Sequence, residues 1–248
     1  MIGYHEPVLS DEVLEYLSPE GDQFFLDGTV GGGGHTRAIL DACATCRVLA
    51  VDRDPQAIAE AKEALAPVRD RVRFLQVRFD EAPHDIEVKD QGLDGALLDL
   101  GVSSHQLDDD DRGFAFRHGV ALDMRMNEAE ALDARIFLNE AEEDELVRVF
   151  RDYGEEPKAR RLAREVVKRR ATESFETSDQ LVAALSVVLN RPPSQQDKAR
   201  IFQAVRIAVN AELESLERGL PAIREALKGG GVLVVIAYHS LEDRVIKH

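Results

Sequence analysis

The chain has 248 residues, long enough for one large domain or two modest ones around a sizeable core. It is 44% hydrophobic and has no Trp, and no apolar stretch nears the roughly 20 residues of a membrane span, which argues against a membrane protein. A formal charge of −16 argues against indiscriminate nucleic-acid binding, because a phosphate-coated partner is repelled at long range.

The opening residues, MIGYHEPVLSDEV, hold no apolar signal core with a basic flank, so a cytoplasmic location is expected. Five short apolar runs then have the length of buried strands: residues 24–27, 48–52, 72–77, 93–100 and 232–238. They are nearly continuous in apolar character rather than alternating, as expected when helices cover both faces of a sheet. Helical patterns separate the first four, one beginning near His35 and one at Pro55, where Asp54 suits the N-cap and Pro55 the first helical position. This alternation predicts an α/β fold with a doubly wound parallel sheet.

The rhythm breaks after the fourth run. From about Ser104 to Phe202 the pattern is helical, with helices predicted over 141–153, 157–170 and 179–189, the last stopped by Arg191-Pro192-Pro193. A further helix over 210–228 and a turn at Gly229-Gly230-Gly231 lead to the fifth strand. The expected organisation is a nucleotide-binding domain of residues 1–104 and 203–248, with a helical insertion of residues 105–202 between strands four and five. The sequence closes in an apparent helix, SLEDRVIKH. A sheet of this kind normally adds another strand or two, so C-terminal strands are expected to be missing.

The first strand runs into Asp27-Gly28-Thr29-Val30-Gly31-Gly32-Gly33-Gly34-His35 and a helix, where glycines let backbone amides approach a ligand at a helix N-terminus. A dinucleotide fingerprint read from Gly31 lacks its third glycine, Thr36 standing there. Alone, this loop is equally well a structural turn. Asp52 ends the second strand, where a carboxylate accepts both ribose hydroxyls of a bound nucleoside; NAD and S-adenosylmethionine (SAM) both need that contact. Asp99 ends the fourth strand and favours a methyltransferase, because a carboxylate there can hold a methyl-accepting amino group. An NAD-dependent oxidoreductase gives it no obvious task.

Longer stretches carry a family resemblance. They are HEPVL at 5–9, DGTVGGGGH at 27–35, AVDRDPQAI at 50–58, LLDLGVSSHQLDDDDRGFAF at 97–116, LDMRM at 122–126, FQAVRIAVNAEL at 202–213 and YHSLEDRVIKH at the end. With them the whole chain resembles the ribosomal RNA small subunit methyltransferase H family, also called MraW. The resemblance implies a SAM-dependent enzyme acting on N4 of a cytidine in the decoding region of 16S ribosomal RNA. It implies cofactor contacts at Gly33, Gly34, His35, Asp52, Phe79, Asp99 and Gln106; without it, Phe79 reads as core. Departures are Asp197-Lys198-Ala199-Arg200 before FQAVRI, Tyr238 where Phe is common, and the absent C-terminal segment.

An exocyclic cytosine amine is a poor nucleophile because its lone pair is delocalised, and an acceptor for its N–H frees that pair in the transition state. Asp99, or a carbonyl within 100–104, is expected to be that acceptor, with Ser103 and Ser104 orienting the base edge. His239 is expected to position the base or remove its proton, the alternative for His239 and Ser240 being a helix cap. Tyr238 either stacks on the base or is buried in its strand. In the insertion, Arg160, Arg164 and Lys168 recur every four residues as a basic stripe, read as RNA-binding or as an ordinary solvated face. No metal site is expected, and Cys43-Ala-Thr-Cys46 is set aside as incidental, since two cysteines supply no disulfide framework. The rival functions are a methyltransferase of small-molecule or protein amines and a truncated non-catalytic RNA- or ribosome-binding relative.

Overall fold

The computed structural model describes residues 7–248, apart from the side chains of Ser104 and His105. His5 and Glu6 of the HEPVL motif therefore lie outside the described residues. The chain divides into two compact units, Met1–Gly101 with Leu213–His248, and Val102–Glu212. In chain order the larger elements are α1 (Ser10–Leu17), β1 (Phe24–Asp27), α2 (Gly34–Ala42), β2 (Arg47–Asp52), α3 (Pro55–Ala64), β3 (Val72–Gln76), α4 (Ile86–Gln91) and β4 (Leu93–Asp99). Helices α5 (Ser104–Asp108), α6 (Ala134–Glu140), α7 (Glu143–Arg148), α8 (Ala159–Arg170), α9 (Ser178–Leu189) and α10 (Gln195–Asn210) follow, then α11 (Glu212–Ala226), β5 (Leu227–Ile236) and α12 (Ser240–Lys247).

The first unit is a five-stranded parallel sheet of order β3-β2-β1-β4-β5. Successive strand residues point to opposite faces, and both faces are covered. Phe25, Val48, Ala50 and Leu97 pack with Val13 and Leu17 of α1, Ile39 and Leu40 of α2, and Ile58 and Ala61 of α3. Phe24, Leu26, Leu49, Val51 and Leu98 pack instead with Val88 of α4, Leu216 and Ile223 of α11, and Val245 and Ile246 of α12. That two-sided burial is why β1, β2 and β4 read as unbroken apolar runs, while β3 and β5 at the sheet edges are partly exposed. Helix α3 starts as its sequence dictates: the Asp54 side chain accepts the Gln56 N–H and Pro55 occupies the first turn.

Three expectations change in detail. The fifth strand begins at Leu227, so Gly229-Gly230-Gly231 lies inside it; the register against β4 shifts between Leu93 and Gly95 to absorb the extra residues as a bulge. The helix expected over 141–153 is shorter at its start and closes in a π-helical turn, Val149–Tyr153. Cys43 and Cys46 are joined by a disulfide, because the chain turns sharply after α2 and brings their Cα atoms to 5.5 Å.

The helical unit extends to Glu212 and does not end at 202. Helix α10 is continuous, fixed at its start by a reciprocal Ser194–Asp197 capping box, and its Ile201, Phe202, Ala204, Val205 and Val209 all belong to the helical core. The same core takes Leu162, Ala163 and Val166 from α8 and Leu181, Leu185 and Val188 from α9. Two motifs explain each other here. Fully buried Asn210 at the end of α10 accepts the Met126 N–H at 2.8 Å and donates to the Met124 carbonyl at 2.7 Å, clamping the LDMRM loop. Met124 holds φ 62° there. Buried Arg112 donates to the carbonyls of Arg125 and Met126, satisfying the same loop from its other side. Among the described residues no helix is long and apolar enough to cross a membrane.

Candidate active site

Three carboxylates stand at the carboxyl ends of neighbouring strands: Asp27 on β1, Asp52 on β2 and Asp99 on β4. Strand order reverses between β1 and β4, the place where doubly wound sheets open a ligand crevice. The loop from β1 to α2 is fastened to both neighbours. The Gly28 N–H donates to the Leu97 carbonyl at 2.9 Å and the Val30 N–H to the Val51 carbonyl at 2.8 Å. Gly33 caps α2 with φ 88°, and a Cβ there would stand 3.1 Å from the Leu65 side chain. Gly34 is the first residue of the helix.

Asp52 shapes this loop as well as edging it. Its Oδ2 accepts the Gly31 N–H at 3.0 Å and its Oδ1 the Asp54 N–H at 2.9 Å. Burial pushes its carboxyl up to about 6; the charges of Asp54 and Asp27 add to the rise, and the two amide hydrogen bonds oppose it. The cap of α3 is Asp54, which leaves Asp52 free of that task. Asp27 is deeply buried, accepting the Thr36 hydroxyl at 2.6 Å and the Thr29 N–H at 3.3 Å, and burial raises its pKa above the ordinary carboxylate value.

Asp99 joins the loop to the last strand. Its N–H donates to Thr29 Oγ1 at 2.6 Å, and its Oδ1 accepts the Tyr238 hydroxyl at 2.9 Å. Its Oδ2 lies 3.5 Å from Nε2 of His35. His35, in the first turn of α2, is buried, and neither ring nitrogen has a hydrogen-bond partner among the described residues. A buried, unsatisfied imidazole is costly and suits a site built to meet a polar ligand.

The other expected residues divide. Tyr238 is not buried in its strand, which ends two residues earlier; it is 55% exposed. His239 is the N-cap of α12: Nδ1 accepts the Glu242 N–H at 3.3 Å and Nε2 lies 3.2 Å from the Glu242 carboxylate. Its Nδ1 therefore serves the helix cap, the alternative expected for this residue. The cap is His239 itself and not Ser240. Phe79, just after β3, packs partly buried against the α4–α11 side of the core, and its ring fills the space where a Cβ on Gly219 would come within 2.6 Å. Ser103 and Gln106 belong to the helical unit and satisfy each other, the Ser103 hydroxyl accepting the Gln106 N–H at 3.2 Å and the Gln106 carbonyl oxygen the Ser103 N–H at 3.1 Å. Ser103 Oγ is thus engaged at the start of α5, and the Ser104 side chain lies outside the described residues. Arg160, Arg164 and Lys168 are exposed along α8, with Arg164 reaching Glu143 at 3.3 Å.

Sequence reasoning missed Asp27, Thr29 and Thr36 as parts of the site. Asp27 carried the signal that marked Asp52 and Asp99, an acid closing an apolar strand; the threonines carried none.

Residues 3–248 match the model of the MraW methylase family. The ribosomal RNA small subunit methyltransferase H of Heliobacterium modesticaldum is 48% identical over 255 residues, covering 100% of this chain and 81% of the relative. The same enzyme of Gemmatimonas aurantiaca is 49% identical over 247 residues, covering 99% of this chain and 77% of the relative. That of Geotalea uraniireducens is 46% identical over 249 residues, with 98% and 80% covered. A family match across nearly the whole length, joined to a parallel sheet whose carboxyl edge carries these acids, leads to one conclusion: the chain belongs to the MraW methylase family.

Proposed function

We propose that this chain methylates the exocyclic N4 amine of a cytidine in the decoding region of 16S ribosomal RNA, within the small ribosomal subunit, using SAM. The observation that carries this reading is Asp99, a partly exposed carboxylate at the sheet's switch point with a glycine loop on its β1 side and a buried, unsatisfied histidine 3.5 Å away. The residues present fit the methyl donor. Asp52 is suited to accept ribose hydroxyls, and Gly33, Gly34 and His35 lie at the N-terminus of α2, where a polar ligand is favoured. Phe79 supplies an apolar surface near the same loop. When bound, SAM supplies a methyl group already activated by its sulfonium, so the protein has mainly to align the acceptor.

Asp99 performs the remaining task. Accepting an N–H of the cytosine amine draws the nitrogen toward a pyramidal geometry and frees its lone pair, a gain realised mostly in the transition state. The proton that the methylated nitrogen must lose would leave along that hydrogen bond to Asp99 and then to solvent. The target base is paired or stacked in folded RNA, so extrusion precedes chemistry. The exposed stripe of Arg160, Arg164 and Lys168 is suited to the RNA backbone, concentrating positive charge on a chain that is otherwise strongly acidic.

The test is methylation of small subunits that lack this modification, with labelled SAM and mapping of the labelled base. Label on a cytidine N4 in the decoding region is expected; label only on protein or small-molecule amines, or none with SAM bound, refutes the proposal. Asp99→Ala is expected to lower kcat by about 10²–10³, and near-normal turnover would remove Asp99 from the chemical step.

A further inference from the structure

We infer that Tyr238 is a positioning residue whose hydroxyl fixes the plane of the Asp99 carboxylate, so that Asp99 meets the acceptor amine in one orientation. The inference rests on the role proposed for Asp99 above and deepens it.

A carboxylate of an aspartate turns freely, because its terminal torsion is broad and only weakly two-fold. Asp99 is about a quarter exposed, so packing alone does not stop that rotation. Its oxygens are distinguished by their neighbours. Oδ1 takes the Tyr238 hydroxyl at 2.9 Å, whereas Oδ2 faces His35 Nε2 at 3.5 Å, at the edge of hydrogen-bond range. The tyrosine bond is therefore the tighter of the two constraints, and Oδ2 is the oxygen left with free acceptor capacity.

Tyr238 is itself held at three points, which a stray surface tyrosine is not. Its N–H donates to Oε2 of buried Glu242 at 2.8 Å, inside the box that starts α12. One side of its ring lies against Gly101, where a Cβ would stand 3.4 Å from Cδ2 and where φ is 98°. Its hydroxyl reaches Asp99. The local sequence Tyr238-His239-Ser240-Leu241-Glu242 thus sets the ring through the helix cap, and the ring sets the carboxylate. Burial, then the Asp99 charge and the hydrogen bond to it, push the phenol up to about 12, which keeps it a donor at working pH.

Tyr238→Phe removes the hydroxyl alone and keeps the ring on Gly101. With unmodified small subunits as substrate, kcat is expected to fall about tenfold, while the SAM dissociation constant and the KM for subunits stay within about twofold. Because the hydroxyl acts through Asp99, the same substitution made on top of Asp99→Asn is expected to change kcat by less than about twofold. The inference is overturned if Tyr238→Phe leaves kcat unchanged, if SAM affinity falls by as much as kcat, or if the loss persists undiminished in the Asp99→Asn background. Full activity of Asp99→Asn alone overturns the role of Asp99 and this inference together; loss there with an unaffected Tyr238→Phe overturns this inference only.

Discussion

Cofactor binding should depend on pH through Asp52. Its carboxyl, pushed up to about 6 by burial, is the one proposed to accept ribose hydroxyls, and only the ionised form offers both oxygens. Roughly one carboxyl in eleven is ionised at about pH 5 and ten in eleven at about pH 7, so affinity should weaken about tenfold as the pH falls from about 7 to about 5. The sign for stability is opposite. A raised pKa favours the folded state while the group is protonated, so this contribution is full below the unfolded value of 3.8 and is lost as pH rises through about 6. The rise to about 6 corresponds to about 3 kcal/mol of destabilisation at neutral pH, which a ligand that hydrogen-bonds the ionised form offsets. Calorimetric titration with S-adenosylhomocysteine, in buffers of differing ionisation enthalpy, measures both affinity and protons released. Release should approach half a proton near about pH 6. Affinity that stays flat over the whole interval, without proton release, would refute the assignment of Asp52 to the ribose.

Reversing charge at Arg160, Arg164 and Lys168 together should weaken RNA binding and reduce the slope of log affinity against log salt by about 2, measured by filter binding across a salt series; an unchanged slope dismisses α8 as an RNA surface. Gly219→Ala places a Cβ 2.6 Å from the Phe79 ring and should cost about 1–3 kcal/mol in urea unfolding, with weaker SAM binding as the ring is displaced. Asn210→Ala leaves the Met126 N–H and Met124 carbonyl without their partner and should destabilise the helical unit by about 2–3 kcal/mol, visible as a lowered Tm. A Tm equal to that of the parent protein would mean that water or a shifted loop satisfies those groups.

The parallel sheet was legible because its central strands β1, β2 and β4 are buried on both faces and Asp54-Pro55 announces the start of α3. Asp52 and Asp99 were legible for a related reason: an acid that closes an apolar run in a parallel strand must come to the carboxyl edge, where it is either wasted or used. The end of the helical unit was not, because Phe202 to Asn210 is apolar in a pattern that suits either core, and only packing assigns it to one. The cap at His239 was only half legible for a similar reason: its residue type suggests proton transfer, and the turn into α12 is what brings the Glu242 N–H onto its Nδ1. Distances between strands far apart in the sequence also lie beyond any local pattern: Tyr238 and Asp99 are 139 residues apart, yet a 2.9 Å bond joins them because β5 lies beside β4. Sequence alone determined which residue types stand at the edge of the sheet, since hydrophobic periodicity and chain direction are local properties. Tertiary structure alone decided which of their oxygens and nitrogens are already spoken for, since that follows from neighbours the chain acquires only on folding.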